Sequence, residues 1–159
     1  MSETPQSYVS PGMDELTPYL IIDGAAAAID FYVEVFGATE VGKRFVDADG
    51  KVGHAELRFG GSLLALADVY EGFGISPADL PDSPVTINVY VPDVDAVTAR
   101  AEAAGATILT QPEETFFGAR RSRLRDPFGH RWMVSTHVRD VAPDAHDQAV
   151  TDFSTQSLA

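Results

Sequence analysis

A histidine and a glutamate two positions apart, His54 and Glu56, are the residues of this chain best suited to chemistry. They lie in the segment His54–Phe59, where polar and apolar residues alternate as in a half-buried β-strand. Because side chains alternate along a strand, His54 and Glu56 share one face with Arg58, and the apolar residues between them face a helix. An imidazole and a carboxylate on one face can bind a metal ion or transfer protons.

The His54–Glu56 pair allows three interpretations. As metal ligands the two residues need a third donor, such as Asn88 or His137. As an acid and a base they would act without metal, with Arg123 as the donor to an oxyanion. In a purely structural role, Glu56 would form an ion pair, most simply with Arg123. The sequence leaves these alternatives open.

A cluster of arginines is the second unusual feature. Five of the 11 basic residues fall within twelve positions: Arg120, Arg121, Arg123, Arg125 and Arg131. Strand alternation divides them between two faces. Ion pairs with Asp126, Glu56 and Glu102 would account for some of them. Alternatively, Arg121 or Arg123 points into a cavity and receives an anionic or oxygen-rich ligand.

The secondary-structure elements that position these residues come from a sequence pattern that occurs twice in the chain. Gly37-Ala38-Thr39 recurs as Gly105-Ala106-Thr107, and each triplet ends a helical pattern and opens a strand. The order β-α-β-β-β fits residues 14–70 and again residues 84–139. The prediction is an α+β fold in which two tandem βαβββ repeats form a curved mixed sheet around a cavity.

The predicted elements follow from local patterns of hydrophobicity and from turn residues. Strands are predicted at Leu16–Ile22, His54–Phe59, Ser62–Asp68, Val85–Val91, Arg121–Arg125 and Arg131–His137, and helices at Ala25–Phe36, Val94–Ala104 and Ala142–Phe153. Asp93 is expected to cap the second helix. A flexible arm at 1–13 and a tail at 140–159 flank the repeats.

The strand faces turned away from the helices are expected to line the cavity. The residues expected there are Thr17, Tyr19, His54, Glu56, Leu64, Leu66, Thr86, Asn88, Tyr90, Arg121, Arg123, Met133 and Ser135. Phe116 precedes the arginine-rich strand and adds an aromatic wall together with Phe117. Aromatic walls with a few polar groups suit a planar organic ligand, and they equally suit an ordinary core.

Three motifs placed on this framework resemble a known family. The first helix ends Ile29-Asp30-Phe31-Tyr32, Phe36-Gly37 follows, and Asp126-Pro127-Phe128-Gly129-His130 comes late in the second repeat. Together with the doubled βαβββ order, they resemble the vicinal oxygen chelate superfamily of glyoxalases, bleomycin-resistance proteins and extradiol dioxygenases. The late motif looks most like the bacterial phosphonate-operon-type glyoxalase-like branch.

The resemblance implies a metal site that this sequence does not reproduce. Enzymes of the superfamily hold a divalent ion with His, Gln and Glu side chains from the first and last strands of each repeat. The matching positions here carry Thr17, Leu64, Thr86 and Met133. These side chains are not a ligand set for Zn, Fe, Ni or Mn, so no metal and no other cofactor is predicted.

Membership of this superfamily without its metal ligands would favour a metal-free small-molecule-binding protein, for example one that sequesters an antibiotic or a metabolite. The alternative is a lyase, isomerase or dioxygenase that uses an atypical metal site or the His54–Glu56 pair, so whether the chain is an enzyme stays open. The resemblance also implies a homodimer.

Composition narrows the partners further. The 159 residues contain 24 acidic and 11 basic side chains, and the net charge of −13 repels nucleic acids and anionic membranes. Such a charge would attract a cationic ligand. Cysteine is absent, no apolar run is long enough to span a membrane, and the first residues do not resemble a secretory signal. These features predict a cytoplasmic protein.

Overall fold

The computed structural model describes residues 8–156 and divides into two compact units, residues 1–81 and residues 82–159. The first unit contains β1 (Tyr19–Ile22), α1 (Ala25–Phe36), β2 (Thr39–Glu40), β3 (Phe45–Val46), β4 (Val52–Phe59) and β5 (Ser62–Asp68). Its sheet has the order β1-β5-β4-β2, with β3 also paired to β4. β1 is parallel to β5, and the other pairs are antiparallel.

Helix α1 covers one face of this sheet. Its buried residues recur every three or four positions, from Ala28 and Ile29 to Tyr32 and Val35, so they form one apolar stripe. Gly37 ends the helix in the left-handed conformation, at φ 70°, as its place after the apolar pattern predicts. The helix therefore fixes which face of the sheet stays uncovered.

The second unit repeats the plan with β6 (Thr86–Tyr90), α2 (Val94–Ala103), β7 (Thr107–Glu114), β8 (Ala119–Arg125) and β9 (Arg131–His137). Its sheet order is β6-β9-β8-β7, with β6 parallel to β9. Asp93 caps α2 by accepting a hydrogen bond from the N–H of Ala96, as predicted. The α+β class and the doubled order of elements are confirmed.

Two predicted elements of the first repeat have different bounds in the structure. β1 begins at Tyr19 because Pro18 has no N–H to donate to a ladder, so Thr17 lies outside the strand. The hydroxyl of Thr17 donates to the carbonyl of Asp14. The strand expected after Gly37 is two short pieces, β2 and β3, each paired with β4.

The register of β4 and β5 corrects the predicted faces of β5. Leu57 lies opposite Leu64, and Ala55 lies opposite Leu66. Residues directly opposite each other point to the same side of a sheet, and Leu57 is on the face that α1 covers. Leu64 and Leu66 therefore face the helix, contrary to the prediction. Ala65 is the residue opposite Glu56.

The tail contains a third helix, α3 (Pro143–Gln156), in the second unit. Proline suits its first position because that N–H needs no partner within the helix. Residues 1–7 of the predicted arm lie outside the described residues, as do residues 157–159. None of the helices in the described part of the chain is long and apolar enough to cross a bilayer.

Candidate functional site

The uncovered face of the first sheet carries a hydrogen-bonded chain of three side chains. The Tyr19 hydroxyl lies 3.0 Å from Nδ1 of His54, and Nε2 of His54 lies 3.1 Å from Oε1 of Glu56. The phenol ring also packs against the imidazole, with ring centres 5.6 Å apart, and edge-on against Phe73. The structure thus places two predicted residues, His54 and Glu56, in one chain with a third, Tyr19.

The donors and acceptors of this chain follow from its chemistry. An ionised carboxylate only accepts, so Nε2 of His54 carries the proton that is shared with Glu56. In the neutral imidazole Nδ1 is then an acceptor, and the Tyr19 hydroxyl donates to it. Partial burial raises the pKa of Tyr19 above its ordinary value of 10.0, which keeps the phenol protonated at neutral pH.

The uncovered face of the second sheet carries a different chain. Nε of Arg121 donates to the Ser135 hydroxyl at 3.1 Å, and that hydroxyl donates to Oδ1 of Asn88 at 3.2 Å. Ser135 is fully buried, so these hydrogen bonds hold the Arg121 guanidinium in a fixed position. The guanidinium also lies over the ring of Phe117, 4.5 Å from its centre.

The register confirms that the predicted residues of this second face lie together. β8 and β9 place Arg121 opposite Ser135 and Arg123 opposite Met133, while β6 and β9 place Asn88 opposite Met133. Tyr90 lies opposite Ser135 and is largely exposed. Asn88, Tyr90, Arg121, Arg123 and Met133 therefore belong to one surface.

The arginine cluster divides by partner as well as by face. Arg120 makes two hydrogen bonds to Asp95, at 2.7 and 2.8 Å, while Arg125 and Arg131 both pair with Asp82. These carboxylates are not the ones that the sequence suggested. They come from α2 and from the segment before β6.

Arg121 and Arg123 differ from the other arginines of the cluster. Within residues 8–156, no carboxylate oxygen lies within 4.0 Å of either guanidinium. Both side chains line a hollow of about 360 Å³ in the second unit. Arg123 also lines a smaller one of about 260 Å³ beside Thr86 and Met133. Within the described residues, the two arginines of the cluster without a carboxylate partner are thus the two at the larger hollow.

Aromatic rings also line the larger hollow. Phe116 and Phe117, in the loop between β7 and β8, meet edge-on with centres 5.2 Å apart. Phe153 of α3 lies 6.2 Å from Phe116, with the two ring planes 33° apart. Thr110 and Glu113 from β7 are also part of the lining. Glu114 lines it as well, so the hollow combines aromatic walls with two guanidinium groups and two carboxylates.

The positions that correspond to the superfamily's metal ligands do not fit a divalent ion. Thr17 is outside β1, Leu64 is buried against α1, and Met133 offers only a thioether. Within residues 8–156, no group of three His, Asp or Glu side chains is placed to hold a metal ion. His54 and Glu56 are bonded to each other, and a third ligand to that pair from Asn88 or His137 stays a prediction.

Some predicted contacts join the two units and stay predictions. Tyr19, His54 and Glu56 belong to the first unit, whereas the Arg121 surface belongs to the second. The Glu56–Arg123 ion pair and a shared cavity are both of this kind. Sequence reasoning missed Phe153 as part of a site, although its place on the apolar side of the tail helix was a usable signal.

Comparisons with known proteins agree with this architecture. A sequence model of the Glyoxalase/Bleomycin resistance protein/Dioxygenase superfamily matches residues 12–134. An uncharacterized protein of Mycobacterium bovis is 43% identical over 140 residues, which cover 86% of this chain and 91% of the relative.

Two solved structures have the same fold. TioX from Micromonospora sp. ML1 is 27% identical, with a TM-score of 0.60, and the match covers 81% of this chain and 100% of TioX. The PhnB protein from Bacillus cereus is 21% identical, with a TM-score of 0.58, over 77% of this chain and 99% of that protein. At that identity the second likeness shows the fold alone.

Proposed function

The chain belongs to the glyoxalase/bleomycin resistance/dioxygenase superfamily, and we propose that it is a metal-free member that binds a small organic molecule. The observation that carries the proposal is the hollow with Arg121 and Arg123. Its volume of about 360 Å³ is within the range of small-molecule sites, about 300–1,000 Å³. Sequestration of an antibiotic or a metabolite would need no more than such a site.

The guanidinium groups favour a ligand that carries an oxyanion. Arg121 is held by Ser135 through Nε, which leaves its two Nη groups to meet a carboxylate or a similar group. The alternative is a cationic ligand, which the net charge of −13 would attract over long distances. Glu113 and Glu114 also line the hollow, and Glu113 lies opposite Arg121 in the pairing of β7 with β8. The Nη groups of Arg121 favour the oxyanion, whereas these two carboxylates are the groups that would favour a cation.

Titration with 2-naphthoate, followed by shifts in the protein's NMR spectrum, tests this proposal. For about 13 non-hydrogen atoms at about −0.3 kcal/mol each, we expect a Kd of about 1 mM. Arg121→Gln removes hydrogen bonds to a charged group, worth about 1.5–3 kcal/mol, and should weaken binding about 10- to 100-fold. The matched control is Arg125→Gln on the same strand, whose guanidinium pairs with Asp82.

Three results would contradict the proposal. The first is no saturable binding of 2-naphthoate. The second is an equal loss of affinity in the Arg121→Gln and Arg125→Gln variants. The third is tighter binding of 2-naphthylmethylammonium, the cation of similar shape, which would favour the cationic ligand.

A second candidate function rests on the Tyr19–His54–Glu56 chain. In it the Tyr19 oxygen takes a proton from the substrate while its own proton passes to Nδ1 of His54, and Glu56 stabilises the imidazolium that forms. The protein would then be an enzyme of the lyase or isomerase type, and its reaction would begin with removal of a proton from the substrate. The raised pKa of Tyr19 supports this role because the phenol keeps the proton that it must pass on.

Exchange of carbon-bound hydrogen for solvent deuterium in dihydroxyacetone, a small hydroxyketone, tests the second function. Where a carboxylate stabilises a catalytic imidazolium, its replacement by an amide lowers kcat by about 10⁴-fold, so Glu56→Gln should slow the exchange by up to that factor. The exposed Glu71→Gln is the control. An exchange rate no faster than in buffer, or one that is the same in both variants, would contradict it.

A further inference from the structure

Helix α3 lies outside the part of the chain that the superfamily's sequence model matches. That match ends at residue 134, and α3 begins at Pro143. Yet α3 provides Phe153 to the lining of the hollow that contains Arg121. The wall that Phe153 contributes therefore lies outside the matched residues, whereas the other lining residues of the hollow lie within them.

The added wall is aromatic and faces another aromatic residue. The ring of Phe153 lies 6.2 Å from that of Phe116, with the planes only 33° apart. His146, about two turns earlier on α3, contacts the same ring at 6.1 Å. Phe153 is nevertheless 61% exposed, so its packing against Phe116 leaves much of the ring uncovered.

The spacing of these two rings suits a flat guest. A planar ring stacked between two others needs about 7 Å between the outer planes, or twice the contact distance of about 3.5 Å. The present centres are 6.2 Å apart and the planes are tilted by 33°, so such a ring would enter only if α3 moved outward by about 1 Å and the Phe153 ring turned parallel to that of Phe116. Arg121 and Arg123 line the same hollow and are the donors available there to an oxyanion on that ring.

We propose that α3 is a clamp that selects planar aromatic oxyanions, with Phe153 as its specificity-determining residue. The ligand's ring lies between Phe116 and Phe153, and its anionic group meets Arg121. This inference rests on the proposed function of the hollow and adds the class of ligand. A bulky aliphatic acid would meet the same arginine without the stacking.

The test compares two acids in the full-length protein. 2-Naphthoate has a flat ring system, and cyclohexanecarboxylate has the same charged group on a puckered ring. We expect Phe153→Ala to weaken 2-naphthoate about 3- to 10-fold, the worth of an aromatic pair, and to change cyclohexanecarboxylate less than about twofold. Phe153→Tyr should keep the preference, and Val150→Ala on the same helix is the matched control.

Hydrogen exchange supplies a second measurement that does not depend on affinity alone. Addition of 2-naphthoate at saturating concentration should slow amide exchange across α3 in the wild-type protein, because the bound ring holds the helix. At matched occupancy, the Phe153→Ala variant should show little of this protection. Unchanged exchange in the wild-type protein would overturn the clamp.

The outcomes separate this inference from the proposed function. If 2-naphthoate binds and Arg121→Gln abolishes binding, but Phe153→Ala weakens both acids equally or neither, the clamp is refuted and the proposed function stands. An equal effect of Val150→Ala would also refute the clamp. If 2-naphthoate does not bind to the wild-type protein, both are overturned.

Discussion

Asp68 is a buried carboxylate that ties together three parts of the first unit. Its Oδ1 accepts hydrogen bonds from the N–H groups of Gly24 and Ala25 at 3.0 Å, where α1 begins. Its Oδ2 accepts the N–H of Val52 at 2.7 Å, where β4 begins. Gly24 makes no side-chain cap of its own, so Asp68 supplies the cap from the end of β5.

Replacing Asp68 with alanine should therefore destabilise the protein strongly. Gly24 is exposed and can bond to water, but Ala25 and Val52 are at most 1% exposed. Each buried donor left without a partner costs about 1–3 kcal/mol, and loss of the negative charge at the helix start adds about 0.3–1 kcal/mol. We expect a loss of about 3–5 kcal/mol in the free energy of unfolding.

Asp68→Asn should cost less, about 2 kcal/mol, because an amide oxygen still accepts from the start of α1 while the NH₂ group confronts the N–H of Val52. Urea unfolding measured by circular dichroism gives both values. Asp49→Ala, at an exposed turn, is the control and should stay within about 0.5 kcal/mol of wild type. A loss below about 1 kcal/mol for Asp68→Ala would refute this account of the cap.

Three further predictions concern the second unit, a tyrosine and metal dependence. Gly118→Ala should lower the free energy of unfolding by about 1–3 kcal/mol or more, because the added Cβ would lie 2.1 Å from the carbonyl oxygen of Arg139. Gly12 has the same φ of 84° with open space around it, so Gly12→Ala should cost less in the same urea titration. The hydrogen bond to Asp47 raises the pKa of Tyr70 to about 12, so the part of the tyrosinate absorbance that appears near pH 12 should move toward pH 10 in Asp47→Asn. Since the folded-state pKa is the higher one, the stability from this bond is complete below the unfolded pKa of 10.0 and is lost as the pH rises through about 12. Finally, EDTA should leave the Tm and the affinity for 2-naphthoate unchanged, and a fall in either would contradict a metal-free site.

Strand faces could be predicted from the sequence only where polar and apolar residues alternate. In β4 and β8 the alternation is clear, and the predicted sides of Glu56 and Arg123 are correct in the sheet register. β5 is apolar on both sides, with every residue from Leu63 to Asp68 buried, so its pattern contained no signal for register. The face of Leu64 was wrong for that reason.

Local sequence patterns also could not predict which residues that are distant in sequence contact each other. Asp82 pairs with Arg125 and Arg131 across more than forty positions, and strand alternation cannot identify such a carboxylate. Phe153 joined the hollow because α3 packs on Phe116, and helical periodicity alone does not say which surface a helix covers. The elements were thus largely predictable from local signals, while the site required the tertiary structure.

The two uncovered faces of this duplicated fold suit different tasks. The chain on the first face consists of a phenol, an imidazole and a carboxylate, and each of these can gain or lose a proton. The chain on the second face consists of an amide, a hydroxyl and a guanidinium, which hold one another by hydrogen bonds and include no acid or base of the kinds on the first face. The fixed guanidinium suits the binding of an anionic ligand, whereas the network of phenol, imidazole and carboxylate suits the transfer of a proton. In a catalysed reaction, loss of the Arg121 side chain should therefore weaken substrate affinity, and loss of the Glu56 carboxylate should lower kcat. Each residue belongs to a hydrogen-bonded network that suits one of these two tasks.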